Sequence, residues 1–231
     1  MERSVAIITA RGGSKRIPRK NIQLFLGVPI IKYAIDAALQ SECFDEVMIS
    51  TDDSEIAEVG RRYGASVPFF RSAATSNDVA TTADVIDEVL QEYCQRGYEF
   101  ESACCIYPTA VFVTGERLRA GLRRLRETDA DTVISVVRFS SPIQRALQIE
   151  NGILRMIWPE YRNARSQDFP PAYHDAGQFY WVKVASFLEQ KTLFARHTVA
   201  LELPESEIQD IDTPEDWHIA ELKYRMCKRI V

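Results

Sequence analysis

Ser4-Val5-Ala6-Ile7-Ile8-Thr9-Ala10 runs directly into Arg11-Gly12-Gly13-Ser14-Lys15-Arg16-Ile17-Pro18-Arg19-Lys20-Asn21. The first part is a short apolar run rich in β-branched residues, the pattern of a buried strand. The second carries five cations between Arg11 and Lys20, and no acid follows until Asp36. In a chain of net charge −5, so local a surplus calls for an anion. Gly12 and Gly13 let the backbone approach a ligand and can turn successive N–H groups toward it. A loop at the carboxyl end of a parallel strand is where open α/β sheets bind ligands. Together these features describe a polyphosphate cradle. The loop is neither a Walker motif nor a G-x-G-x-x-G fingerprint, which argues against a P-loop ATPase and a Rossmann dehydrogenase.

Outward from this stretch, strand and helix periods alternate. Helical spacing predicts helices over Ile30–Gln40, Ser54–Tyr63, Thr82–Gln95 and Glu116–Arg126. Strands are predicted at Glu46–Thr51, Val67–Arg71, Ala103–Tyr107 and Thr132–Phe139. Such alternation implies βαβ units and a mostly parallel sheet in three layers, an α/β fold. After Phe139 the pattern changes. Arg145–Ile149 and Ile153–Trp158 flank Asn151-Gly152, a hairpin turn signal. Tyr161–Tyr173 is polar, aromatic and without period, too long for an idle connection. Gln178–Val184 resumes strand character. Thr213-Pro214 then opens a last amphipathic helix bearing Trp217, Ala220 and Tyr224.

At 231 residues and roughly 150 residues per domain, one domain over 1–231 is expected, with an inserted hairpin arm at 140–173. The composition, 46 % hydrophobic and 26 % charged, is that of a folded globular chain and not of a disordered one. The acidic balance argues against nucleic acid as partner. No apolar run approaches the roughly 18 residues of a membrane span, and the N-terminal apolar stretch is too short for a signal-peptide core. The expectation is a cytoplasmic protein without a membrane partner. Five cysteines form no C-x-x-C pair; Cys104 and Cys105 read as small buried hydrophobes. The three histidines lack zinc-site spacing. Asp210 and Asp212, two apart, place both carboxylates on one side of an extended segment. That spacing suits Mg²⁺, and equally suits a charge placed before a helix that Thr213 caps.

Ala10–Asn21 resembles the signature loop of the sugar-acid cytidylyltransferases, the family of the CMP-N-acetylneuraminate synthetases. Gly27-Val28-Pro29-Ile30-Ile31, Ser50-Thr51-Asp52-Asp53, Phe70-Arg71 with Asp78 and Thr81-Thr82, Tyr107-Pro108-Thr109, and Gln209-Asp210-Ile211-Asp212 are similar to further segments of that family, in its order. The resemblance implies a nucleotide-diphosphosugar-transferase-like fold, and attack of a sugar anomeric hydroxyl on the α-phosphate of CTP with release of pyrophosphate. Three stretches, Pro142–Leu147, Arg165–Asp168 and Tyr173–Trp181, resemble the pseudaminate branch, so the expected products are CMP-pseudaminate and pyrophosphate. N-Acetylneuraminate, legionaminate and KDO are the alternative acceptors. A different class, a nucleotide-binding regulator without catalysis, would show a broken cation loop or a lost carboxylate pair, and both are intact.

The resemblance also implies roles. Arg11 and Lys20 match triphosphate-contacting positions and are the expected catalytic pair, helped by Ala10, Gly12, Gly13, Ser14, Lys15 and Arg16. Asn21 matches a nucleoside contact; Arg71 and Thr82 match the cytosine end. Asp210 and Asp212 become the ligands of a Mg²⁺ cofactor, through which the sugar oxygen would be deprotonated. On the sugar side, Arg165 and then Arg145 are the candidates for the acid's carboxylate, since Arg binds carboxylates bidentately. Tyr107, Tyr173, His174, Asp175 and Gln178 complete the substrate set. Phe179 and Trp181 alternate onto one strand face and are predicted core. Sialate members carry Asn where Ala176 stands, and a pocket lined by Ala is expected to favour the more deoxygenated pseudaminate. The arm is expected to pair two copies into a homodimer.

Overall fold

Cys104 and Cys105 are neighbours in sequence and belong to opposite cores, because successive side chains of a strand point to opposite faces. The structure, a computed structural model, describes residues 3–228. From the N-terminus the chain forms β1 (Ser4–Thr9), a small ladder of β2 (Leu24–Phe25) and β3 (Val28–Pro29), α1 (Ile31–Ser41), β4 (Glu46–Ser50) and α2 (Ser54–Arg62). It continues through α3 (Thr82–Gln95), β5 (Ser102–Ile106), α4 (Gly115–Glu127) and β6 (Thr132–Arg138). A hairpin of β7 (Leu147–Glu150) and β8 (Ile153–Met156) precedes β9 (Tyr173–Lys183), α5 (Val184–Gln190), β10 (Thr198–Glu202) and α6 (Pro214–Lys228).

The central sheet has the order β10-β6-β9-β5-β1-β4. β1 lies parallel to β4 and β5, and β10 parallel to β6; β9 alone runs antiparallel, between β5 and β6. On one face Ala6, Ile8, Ile49, Cys104, Phe179 and Trp181 pack against Ile31, Ile35 and Ala38 of α1 and Leu118, Leu122 and Leu125 of α4. On the other, Val5, Ile7, Met48, Cys105, Ile134 and Tyr180 pack against Ile86, Val89 and Leu90 of α3 and Phe187 of α5. This is the expected three-layer α/β arrangement. Phe179 and Trp181 are fully buried, so that pair is core.

Helix ends follow local chemistry. Thr81 and Asp84 form a reciprocal capping box at α3, and Thr213 with Asp216 does the same before α6. Asn151 and Gly152 adopt φ of 51° and 79°, the left-handed pair that a tight hairpin turn requires.

Three expectations are corrected. Val67–Arg71 is not a strand: only Ser66 bridges to Met48, Pro68 has no N–H to donate, and the Arg71 N–H goes to the Thr51 carbonyl. β9 begins at Tyr173 rather than Gln178, because its first residues are exposed and show no alternation of burial. β10 was not foreseen; it is an edge strand of partly exposed residues and carries little hydrophobic signal.

Candidate active site

The cradle loop and the two aspartates are fastened by a third apolar cluster. Ile17 from the loop, Ile211 from between the aspartates, and Phe25, Ile30, Val111, Phe112 and Trp217 pack together. Lys20 adds a polar strut: its Nζ donates to the Ile211 carbonyl at 2.6 Å and lies 3.3 Å from Asp212. Arg16 meets Asp212 at 2.8 Å. Asp210 and Asp212 lie in the extended coil before α6, not on a strand.

Between these segments opens a cavity of about 540 Å³. Arg11, Ser14, Lys15, Arg16, Lys20 and Asn21 line it from the loop, Tyr107 from the end of β5, and Asp210 and Asp212 from the far side. A smaller recess of about 180 Å³ adjoins it, sharing Thr9, Arg11 and Asp78 and reaching Arg71 and Thr82. The Arg71 guanidinium is fixed by Ser50, with Nη2 on its carbonyl at 2.8 Å and Nε on its hydroxyl at 3.0 Å. Burial lowers the Arg71 pKa, yet so basic a group stays charged.

The backbone of the cradle differs from expectation. The Gly12 N–H donates to the Asp52 carboxylate at 2.8 Å and the Ser14 N–H to the Gly12 carbonyl. Ala10 is buried and bonded to the Ser50 carbonyl. The Ala10 and Gly12 amides are therefore taken up within the protein, and Ala10, Gly12 and Gly13 are not among the residues that line the cavity. A Cβ on Gly12 would stand 2.8 Å from an Asp53 oxygen, so the requirement for glycine there is close approach to α2. Asn21 is buried and donates its side-chain amide to the Arg11 carbonyl at 2.9 Å.

Acids missing from the predicted site prove central. Asp78 pairs with both Arg11 and Lys15, and these two hold its carboxyl below the usual range. Asp53 caps α2 and pairs with Arg19. Both acids stand in segments that resemble the family, but the sequence assigns them no role, because their cationic partners lie far along the chain.

Two hard oxygen donors flanking a buried Ile211 fit Mg²⁺, which takes one or two carboxylates and fills its shell from water and phosphates. Crowding by protein atoms, and then the neighbouring Asp212, raise the Asp210 carboxyl above its ordinary value, as expected where a cation would relieve two like charges. Among the described residues no three or more His, Cys, Asp or Glu converge on one point, so zinc-type closure is not built here.

The sugar-side candidates are scattered. Tyr107 lines the cavity; Asp175 accepts from the Tyr180 hydroxyl at 2.7 Å; Gln178 is buried with its Oε1 unpartnered. Tyr173 and His174 sit on the exposed start of β9; the His174 ring lies 4.7 Å from that of Phe139, and its Nδ1 is 2.9 Å from the Asp175 carbonyl. Ala176 does not line the cavity: it packs with Val137, Leu203 and Ile208, so it cannot set the pocket's polarity as expected. Arg145 and Arg165 lie in the arm, Arg145 on the Ala164 carbonyl and Arg165 on Asp168, and neither lines the cavity within this chain. The arm does leave the sheet at the carboxyl end of β6, the same edge that carries the cradle.

A cationic cavity at the carboxyl edge of a parallel sheet, closed by two carboxylates, defines a nucleotidyltransferase-type site. Residues 5–208 match the cytidylyltransferase family model, and the chain belongs to that family. It is 38 % identical to a pseudaminic acid cytidylyltransferase of Campylobacter jejuni, over 97 % of both chains. It is 34 % identical to a CMP-N,N′-diacetyllegionaminic acid synthase of Legionella pneumophila, over 95 % of each. In fold it resembles a solved CMP:2-keto-3-deoxy-manno-octonic acid synthetase complexed with CTP, with TM-score 0.68 and 17 % identity over 99 % of this chain and 100 % of that one.

Proposed function

We propose that the chain transfers CMP from CTP to the anomeric hydroxyl of pseudaminic acid, with Mg²⁺ held by Asp210 and Asp212. The observation that carries the reading is the single cavity lined by Arg11, Lys15, Lys20 and the aspartate pair, in a chain whose similarity to pseudaminic acid cytidylyltransferases runs end to end. The sugar oxygen forms a bond to the α-phosphorus, the bond to the β-phosphate oxygen breaks, and pyrophosphate leaves. Arg11, Lys15 and Lys20 meet the charge that grows on the phosphate oxygens; Lys20, held by the Ile211 carbonyl, needs little reorganisation, while Arg11 and Lys15 first exchange Asp78 for phosphate. Bound at the aspartates, Mg²⁺ would neutralise phosphate charge and acidify a hydroxyl. In this reading Arg71 and Thr82, which line the smaller recess, meet cytosine, whose O2 and N3 are acceptors.

The working unit in this reading is a homodimer joined by the arm, whose Ile149, Ile153 and Leu154 are 72 %, 55 % and 59 % exposed; an isologous pairing would cover them and bring Arg145 and Arg165 near a partner's site. A cytoplasmic setting agrees with five free cysteines. Among the described residues no helix is long and apolar enough to cross a membrane. The test is pyrophosphate release from CTP and Mg²⁺ with a panel of nonulosonic acids. The kcat/KM for pseudaminate should exceed that for N-acetylneuraminate, legionaminate and KDO by at least about tenfold; a preference for another acid would reassign the acceptor, and no release with any would overturn the activity.

A further inference from the structure

Behind the smaller recess, the carboxylate of Glu88 on α3 gathers three donors from one turn. Its Oε1 accepts the Ser72 N–H at 2.7 Å, and its Oε2 accepts the Ser72 hydroxyl at 2.8 Å and the Thr75 hydroxyl. Glu88 stands one helical turn from Val85, which lines the recess together with Arg71 and Thr75. Burial would raise the Glu88 pKa, but the hydrogen bonds from Thr75 and then Ser72 outweigh it and hold the carboxyl below its ordinary value. Ionised, it can only accept. The one proton of the Thr75 hydroxyl therefore goes to Glu88, and toward any other group Thr75 can only accept.

Most polar side chains around the recess are spent on one another. Arg11 and Asp78 pair across its mouth, Thr81 donates to Asp84, and Asn77 is bonded to its own loop. Thr82 and Tyr107 share a hydrogen bond that either can donate, so Thr82 fixes no polarity. Two groups have a fixed one. Arg71 can only donate, and with Nε and Nη2 on Ser50 its Nη1 has no partner among the described residues. Thr75, 8 % exposed, can only accept. A donor and an acceptor in one recess complement a ring-nitrogen acceptor beside an amino donor, which is the N3 and N4 edge of cytosine. Uracil reverses both, with N3–H and O4.

We infer that Thr75 is a specificity residue that accepts a hydrogen bond from the amino group of the base, and that Glu88 is a positioning residue that keeps the Thr75 proton out of the recess, so that CTP is taken and UTP refused. The identity of the nucleotide rests on the proposed reaction; the polarity of the recess rests on the Glu88 bonds.

The experiment measures the Kd of CTP and of UTP by titration calorimetry, without sugar acid, for wild type, Thr75→Val, Thr75→Ser, Glu88→Gln and the double variant Thr75→Val with Glu88→Gln. Each protein is melted to check its fold. Thr75→Val removes the hydroxyl and keeps the shape. It should lower the ratio of the UTP Kd to the CTP Kd about tenfold, the scale of one lost hydrogen bond, and Thr75→Ser, which restores the hydroxyl, should bring the ratio back. In Glu88→Gln the side-chain amide can donate to Thr75, whose proton then turns into the recess; CTP weakens, UTP gains, and the ratio falls by a similar factor. Since Glu88 acts through Thr75, the ratio in the double variant falls no lower than in Thr75→Val alone. If wild type binds CTP, then equal affinity for UTP, equal losses for both nucleotides in folded Thr75→Val, or a further fall of the ratio in the double variant would overturn the inference and leave the proposed reaction standing. Should Glu88→Gln not fold, the comparison of Thr75→Val with Thr75→Ser still decides. If wild type binds neither nucleotide, the proposed reaction and the inference fall together.

Discussion

Across the mouth of the cavity, the Arg11 guanidinium donates to the Asp78 carboxylate at 2.6 Å. Lys15 reaches the other oxygen of the same group. Two cations of the cradle thus share one internal carboxylate, 67 and 63 positions away, which offsets one of their two charges. A triphosphate must displace that carboxylate to reach them. Asp78→Asn should therefore tighten CTP binding, by about three- to tenfold at low salt, with the gain shrinking as salt screens exposed charge. Titration calorimetry at two salt concentrations reads this directly. Unchanged or weakened binding at low salt would mean that Asp78 does not compete with the nucleotide.

Lys20 joins the cradle to the aspartate segment and also faces the cavity. Lys20→Ala should cut kcat by roughly a hundredfold or more, the scale of losing one preorganised charge stabiliser. Arg11→Ala should fall in the same range. Turnover close to wild type in both variants would remove the loop from the chemistry.

Asp53 ties the loop to α2. Its carboxylate accepts from the Glu55 and Ile56 N–H groups and pairs with Arg19. The Arg19 hydrogen bond first, then the backbone donors, hold its carboxyl below the ordinary value. The sign follows: a depressed folded-state pKa gives stability that is complete above the unfolded value, about 3.9, and is lost as pH falls through the folded one. Asp53→Ala should cost about 1 kcal/mol at neutral pH, the usual size of a lost N-cap. Urea titrations should show the gap between variant and wild type closing in strong acid; a gap that persists there would point to packing instead of charge.

The arm offers a test of assembly. Ile149 and Leu154 are exposed and face neither core. Ile149→Glu combined with Leu154→Glu should convert a dimer into a monomer by light scattering, with the melting of the central sheet little changed. A monomeric wild type at working concentration would end the pairing proposal.

For the metal, Asp210→Asn and Asp212→Asn should each raise the Mg²⁺ concentration needed for half-maximal activity while the fold is kept. Activity of the wild type untouched by EDTA would rule out the metal role.

What the chain determines by itself is what short-range chemistry can encode. The β-branched run Ser4–Ala10, the helical spacing of Val85, Ile86, Val89 and Leu90, the Asn151-Gly152 turn and the Thr213 cap each act within a few residues, and all appear in the structure where their spacing placed them. The cation excess of Arg11–Lys20 was visible for the same reason. Tertiary structure decided what those cations meet. Asp78, Asp52 and Asp53 reach the loop from distant loops, so the Gly12 amide is committed to the protein. It also decided facing. Ala176 and Gln178 stand two apart on β9, a spacing that would put them on one face, but the positive φ of Gly177 and the register shift between Ile134 and Val136 interrupt the alternation. One therefore packs into an apolar cluster, and the other is left with an unpartnered amide oxygen. No local pattern carries that information, because a side chain's direction after a bulge is fixed by the strand it pairs with.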